Sequence, residues 1–303
     1  MKADASLLFA ERKQDLPPSP RSVVDLFCGA GGLSEGFRMA GFDSVLGIDD
    51  CSTACDTFAT HHESARVVNN KIENISNSAM LELSDLKEGE LGILCGGPPC
   101  QGFSVAGERL SDDPRNHLFK EFLRAARVFS PAWIVMENVP NLLNNAAIAG
   151  ALTTDLDELE TNNGVDYEFG FSVVNAAGYG VPQTRSRLII IAKRSDVNLV
   201  KDFRYSDFVE PIFSIGPTLF GSPQYTTFDE AVSDLPIIHS GEGDEKMAYS
   251  NSASTPYQML MRGEIPIADF FQAKNITISE RTASIRRSPM VYNYRAQNHN
   301  SVL

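Results

Sequence analysis

At 303 residues, with 43% apolar and 21% charged residues, the chain has an ordinary globular composition, enough for one large domain or a domain and a smaller companion. A formal net charge of −13 excludes whole-surface attraction to nucleic acid, so any such partner must meet a local patch. No apolar run approaches the roughly 18 residues of a membrane span, no secretory signal opens the chain, and the 5 cysteines lack the spacing of a disulfide scaffold, which together predict a cytoplasmic protein with reduced thiols.

Residues 1–20 end in LPPSP and read as a stiff polar lead. From there short apolar or β-branched runs alternate with helix-length stretches. RSVVDLF (21–27), DSVLGI (43–48), ARVV (65–68), LGILC (91–95), AWIVME (132–137), FSVVN (171–175) and LIIIA (188–192) are strand candidates bounded by Gly, Pro, Asn or Asp. LSEGFRMA, CSTACDTFATHH and HLFKEFLRAARVF read as helices, the last with Leu118, Phe122, Ala125, Ala126 and Phe129 on one stripe. Such alternation predicts an α/β fold with a doubly wound, mostly parallel sheet and helices on both faces. Past about residue 200 the alternation stops, and 201–303 reads as an irregular appendage with one clear helix, TTFDEAVSDL (226–235). Near its end Lys274, Arg281, Arg286, Arg287 and Arg295 face only Glu280 as an acid, and this stretch reads equally as a nucleic-acid patch or a solvated basic tail.

The first strand runs into DLFCGAGGLSEGF. Gly29, Gly31 and Gly32 form a turn on which a ligand can lie close to backbone amides. The spacing departs from the dinucleotide fingerprint, and Asp25 at the strand end repels a pyrophosphate while suiting a cationic amine, which favours S-adenosylmethionine over NAD. The second strand ends in Asp49-Asp50, where one carboxylate can accept ribose hydroxyls and the other can cap the next helix. In LCGGPPCQGFS two prolines force the chain out of the sheet and carry Cys100 on a stiff loop beyond a strand end. Cys28 and Cys95 read as structural. Cys51 and Cys55 have no partners at zinc-site spacing, and His61-His62 reads as a solvated helix end, so no metal is expected.

These two glycine-rich stretches, with Glu137-Asn138-Val139-Pro140 and the run VPQTRSR at 181–187, resemble the cytosine-C5 DNA methyltransferase family in motif order and spacing over residues 21–195. The resemblance implies a catalytic domain at 21–200 that binds S-adenosylmethionine through Asp25, Phe27, Gly29, Gly31, Gly32, Leu33, Asp49, Asp50, Ile72 and Pro98, with Phe27 stacking on adenine. It implies that Cys100 adds to C6 of a cytosine flipped out of double-stranded DNA, with Glu137 as the acid at N3 and Arg185 and Arg187 holding the base or a phosphate. Burial is expected to keep a proton on Glu137, and the two arginines are expected on a sheet edge. Gln101, Ser104 and Arg115 fall in a stretch that the resemblance assigns to a mobile loop closing on DNA.

Two departures stand out. Lys71 occupies the place of an aspartate that would receive the adenine amino group, and a lysine cannot accept that bond. The family's target-recognition region and final helix have no counterpart before QNHNSVL, which predicts the catalytic half of a split or truncated enzyme, with a second subunit for recognition. The competing readings are a non-catalytic binding module of the same fold and a tRNA methyltransferase. Relatives acting on RNA carry Phe-Thr where this chain has Gln-Gly-Phe-Ser after Cys100.

Overall fold

A computed structural model describes residues 21–99, 116–144, 146–159, 164–197, 205, 225–274 and 290–295. The chain forms two compact units, one of Met1–Asn175 with Ser186–Glu210 and one of Ala176–Arg185 with Pro211–Leu303.

The first unit is built on a seven-stranded sheet. Its strands are β1 (Ser22–Leu26), β2 (Asp43–Asp49), β3 (Arg66–Asn69), β4 (Ile93–Gly96), β5 (Trp133–Asn138), β6 (Tyr167–Asn175) and β7 (Ser186–Arg194), in the order β3-β2-β1-β4-β5-β7-β6. β1 pairs in parallel with β2 and β4, and β4 with β5, while β7 runs antiparallel to both β5 and β6. All seven expected strands form. Because β7 lies between β5 and β6, Arg187 stands on an interior strand, which corrects the sheet-edge expectation. The direction of winding reverses between β1 and β4, and the crevice beyond the carboxyl ends of such strands is where open α/β sheets bind ligands.

The apolar runs explain the sheet's depth. Every residue of β1 is buried, and Val23, Val24 and Leu26 have no exposed surface, as a central strand covered on both faces requires. Helices α1 (Gly32–Met39), α2 (Ser52–His61), α3 (Asn77–Ser84), α4 (Asn116–Phe129) and α5 (Ala146–Asp157) accompany the sheet. On α4 four of the five residues of the anticipated stripe, Phe122, Ala125, Ala126 and Phe129, are wholly inaccessible, and Leu118 is partly buried against the same core. The same helix carries Arg124, whose guanidinium donates to Ile72 O (3.0 Å), Ile75 O (3.1 Å) and Asn77 Oδ1 (2.6 Å) while Nε meets Glu121 Oε2 at 2.8 Å. This clamp fixes the 3-10 turn Ile72–Asn74 that follows β3.

In the second unit, α6 (Phe228–Val232) and α7 (Pro256–Met261) each start from a complete capping box, on Thr227 and Thr255. With α8 (Ile267–Ala273) they enclose a small core of Leu260, Phe270 and Phe271, and β8 (Gly243–Ala248) pairs antiparallel with β9 (Met290–Arg295). Asp234 and Arg262 form a buried pair, and the Arg262 guanidinium lies over the Tyr249 ring, 3.6 Å from its centroid. Among the described residues no helix is long and apolar enough to cross a membrane.

Candidate active site at the carboxyl edge of the sheet

Beyond β1 the backbone turns left-handed three times, at Phe27 (φ 56°), Gly29 (52°) and Gly31 (91°). For Phe27 that conformation costs on the order of 1 kcal/mol, a strain of the kind that clusters at ligand sites. The turn has a closed and an open side. A Cβ on Gly31 would lie 2.7 Å from His62 Nε2 and 2.9 Å from the Phe58 ring, so only glycine fits. A Cβ on Gly29 or Gly32 would meet nothing within 4 Å. Across the turn, Asp49 accepts Gly29 N–H at Oδ2 (2.8 Å) and Cys51 N–H at Oδ1 (2.9 Å). Of the two adjacent aspartates it is therefore Asp49 that the fold holds in place, while Asp50 is exposed and Cys51 is the N-cap residue of α2.

Asp25 lies beneath the turn with 1% of its surface exposed. Oδ2 accepts the Ser34 hydroxyl at 2.8 Å; Oδ1 meets no donor stronger than the weak thiol of Cys95. Burial pushes this carboxyl up to about 7, against the downward pull of the Ser34 and Cys95 bonds. Burial and the nearby Asp25 also push the Cys28 and Cys95 thiols well up, which keeps both protonated and inert. An under-satisfied buried carboxyl, a second carboxylate held by two amides, an aromatic ring and an open glycine cradle fit a cationic, ribose-bearing ligand such as S-adenosylmethionine. Leu33 packs beside this cradle against the cluster of Val23, Ile93 and Cys95. Ile72, 3% exposed, opens the turn that Arg124 clamps. Neighbouring Lys71 is exposed, and its amide donates to Asn70 Oδ1 at 2.9 Å.

The second cluster forms where β4 and β5 end side by side. Asn138, 6% exposed, donates Nδ2–H to Pro98 O at 3.0 Å and accepts Val139 N–H at Oδ1 (2.8 Å). One buried amide thus ties the end of β5 to the proline pair. A Cβ on Gly97 would come within 3.2 Å of Glu137 Oε2, so the glycine lets the carboxylate lie against the chain three residues before Cys100. Glu137 is not sealed from solvent as expected: its side chain is 27% exposed and meets a cation, Arg187 Nε, at 2.6 Å from Oε1. The antiparallel register that sets Glu137 opposite Ile189 brings the start of β7 to this edge. Arg185 belongs to the second unit, where its carbonyl accepts Ala176 N–H at 2.9 Å. Cys100, Gln101, Ser104 and Arg115 lie outside the described residues.

Two side chains that support the site escaped sequence reasoning. His62, read as solvated, is 4% exposed, which corrects that expectation. Its signal was present: Cys55, Phe58 and His62 are spaced three and four apart, the inner stripe of a helix. Arg124 carried no such signal, since its three distant partners are a backbone pair and an asparagine remote in sequence.

Residues 21–299 match the family model for C-5 cytosine-specific DNA methylase. The chain belongs to this family. It is 37% identical over 242 residues to the type II methyltransferase M.DdeI of Desulfomicrobium norvegicum, covering 80% of this chain and 54% of that protein. It is 35% identical over 230 residues to the type II methyltransferase M.AquIA of Picosynechococcus, covering 71% of this chain and 89% of that one. A prophage-encoded DNA modification methyltransferase of E. coli shares the fold, with a TM-score of 0.61 at 24% identity over 84% of this chain and 69% of its own. The chain spans little more than half the length of M.DdeI and, at 54%, of M1.HphI of Haemophilus parahaemolyticus.

Proposed function

We propose that this methylase-family chain acts in the cytoplasm as the catalytic part of a DNA cytosine-5 methyltransferase. What supports the reading is one juxtaposition: Glu137, paired with Arg187, lies against Gly97, and Asn138 locks Pro98, so the family's acidic motif and the stem of its Pro-Pro-Cys motif share one strand edge. In this reading the Cys100 thiolate adds to C6 of a flipped-out cytosine, which raises electron density at C5. S-adenosylmethionine, when bound, supplies the methyl group that C5 takes up. A base, water included, then removes the C5 proton, the Cys100–C6 bond breaks and the thiolate is regenerated. Glu137 acts as the acid that donates a proton to N3 as C6 is attacked, with Arg187 orienting its carboxyl group and Arg185 a further contact to the base or a phosphate. Asp25 faces the cofactor's ammonium and Asp49 its ribose, while Gln101, Ser104 and Arg115 contact DNA.

We further propose that a second polypeptide carries target recognition. The test is covalent trapping on duplex DNA carrying 5-fluorocytosine, with S-adenosylmethionine and the recognition polypeptide supplied. A stable adduct is expected with the natural chain and none with Cys100→Ser. Failure of the natural chain to form it favours a non-catalytic binding module, and methyl transfer to tRNA instead of DNA overturns the substrate.

A further inference from the structure

The closed side of the glycine turn is the work of two residues at the end of α2, Phe58 on the helix and His62 at its C-cap. Phe58 has no exposed surface and stands under two glycines at once: a Cβ on Gly47 of β2 would lie 2.8 Å from its Cζ, and one on Gly31 2.9 Å from its Cδ2. His62 packs on Phe58 with ring centroids 4.5 Å apart, and its Nε2 lies 3.3 Å from Gly31 O. A carbonyl only accepts, so Nε2 is the protonated nitrogen. Burial lowers the imidazole below its ordinary value and favours this neutral ring. The same Gly31 carbonyl also accepts Glu35 N–H at 2.8 Å, so it is gripped from the helix and from the ring.

No peptide described here is cis, and in a trans peptide the carbonyl and the following N–H point opposite ways. With Gly31 O drawn toward His62, the Gly32 N–H is directed away from it. Gly32 is also open on its side-chain face, where a Cβ would meet nothing within 4 Å.

We propose that His62 is a positioning residue for the cofactor turn, orienting the Gly31–Gly32 peptide so that the Gly32 N–H is presented to an acceptor on bound S-adenosylmethionine. The inference rests on the cofactor reading above and adds a residue that never touches the ligand. The test is calorimetric titration of the full chain with S-adenosylhomocysteine. His62→Gln, whose Nε2 amide can replace the ring donor, is expected to bind within about threefold of the natural chain, whereas His62→Leu and His62→Asn, which lose the donor or its reach, are expected to bind about tenfold more weakly, equivalent to about 1.4 kcal/mol. Should His62→Leu fail to fold, the glutamine and asparagine variants carry the comparison. Equal affinity of these two overturns the proposal, and so does a folded His62→Leu chain that binds as tightly as the natural one, since leucine fills the space without supplying a donor. A natural chain that does not bind S-adenosylhomocysteine overturns the cofactor reading and this inference with it.

Discussion

Replacing Asp25 by asparagine is expected to stabilise the folded chain in a pH-dependent way while weakening cofactor binding. Burial moves this carboxyl from its ordinary 3.8 to about 7. Its contribution to stability is therefore complete at pH values below about 4, declines as the pH climbs to about 7, and is flat above that. At pH 8 the ionised, buried group costs the folded state about 4 kcal/mol at 1.36 kcal/mol per pKa unit. Asparagine keeps an oxygen for the Ser34 hydroxyl but adds an amide whose donors need acceptors, a cost of about 1–3 kcal/mol. The net expectation is a gain of about 1–3 kcal/mol at pH 8 that falls to about zero at pH 5, where the ionisation cost is only about 1.6 kcal/mol and the amide's own cost offsets it. Urea unfolding at the two pH values measures both numbers, and titration with S-adenosylhomocysteine measures the loss of affinity that should accompany the gain, a trade of function for stability. A variant less stable than the natural chain at pH 8, or changed equally at both, refutes the reasoning that burial of an ionisable Asp25 is a cost held for a cationic ligand.

Arg124→Met is expected to destabilise the first unit by about 3–5 kcal/mol, because it leaves the buried Glu121 without its cation and two carbonyls of the clamped turn without a donor; chemical denaturation reads this directly. Glu137→Gln, which keeps shape but removes the charge that meets Arg187, is expected to lower methyl transfer by about 10²–10⁴-fold in the reconstituted enzyme with S-adenosylhomocysteine affinity unchanged. A comparable loss of cofactor affinity would place Glu137 in the cofactor site instead.

Much of the site could be read from local chemistry. A glycine next to an acidic strand end, or two prolines ahead of a cysteine, announces what the backbone must do there whatever the rest of the chain does. The glycines of the cradle, Asp25, the carboxylate pair at 49 and 50 and the motif order came from residue types within a few positions of one another. What could not be read was anything set by neighbours distant in sequence. The choice of Asp49 over Asp50 depends on the Gly29 amide 20 positions away, and the partner of Glu137 on an antiparallel register 50 residues later.

The sequence by itself determined the alternation of strands and helices and hence the layered α/β class, because apolar runs of strand length have no stable place except inside a covered sheet. It also determined where the chain must leave that sheet, since proline lacks an amide donor and glycine adopts left-handed turns without steric cost. Only the tertiary structure decided that β7 enters between β5 and β6 and delivers Arg187 to Glu137, that His62 is sealed beneath the turn it was expected to leave in solvent, and that one arginine on α4 pins the loop after β3. Each of these is a contact between segments whose separate patterns carry no information about one another, and packing chooses it by satisfying buried charges and carbonyls that would otherwise have no partner.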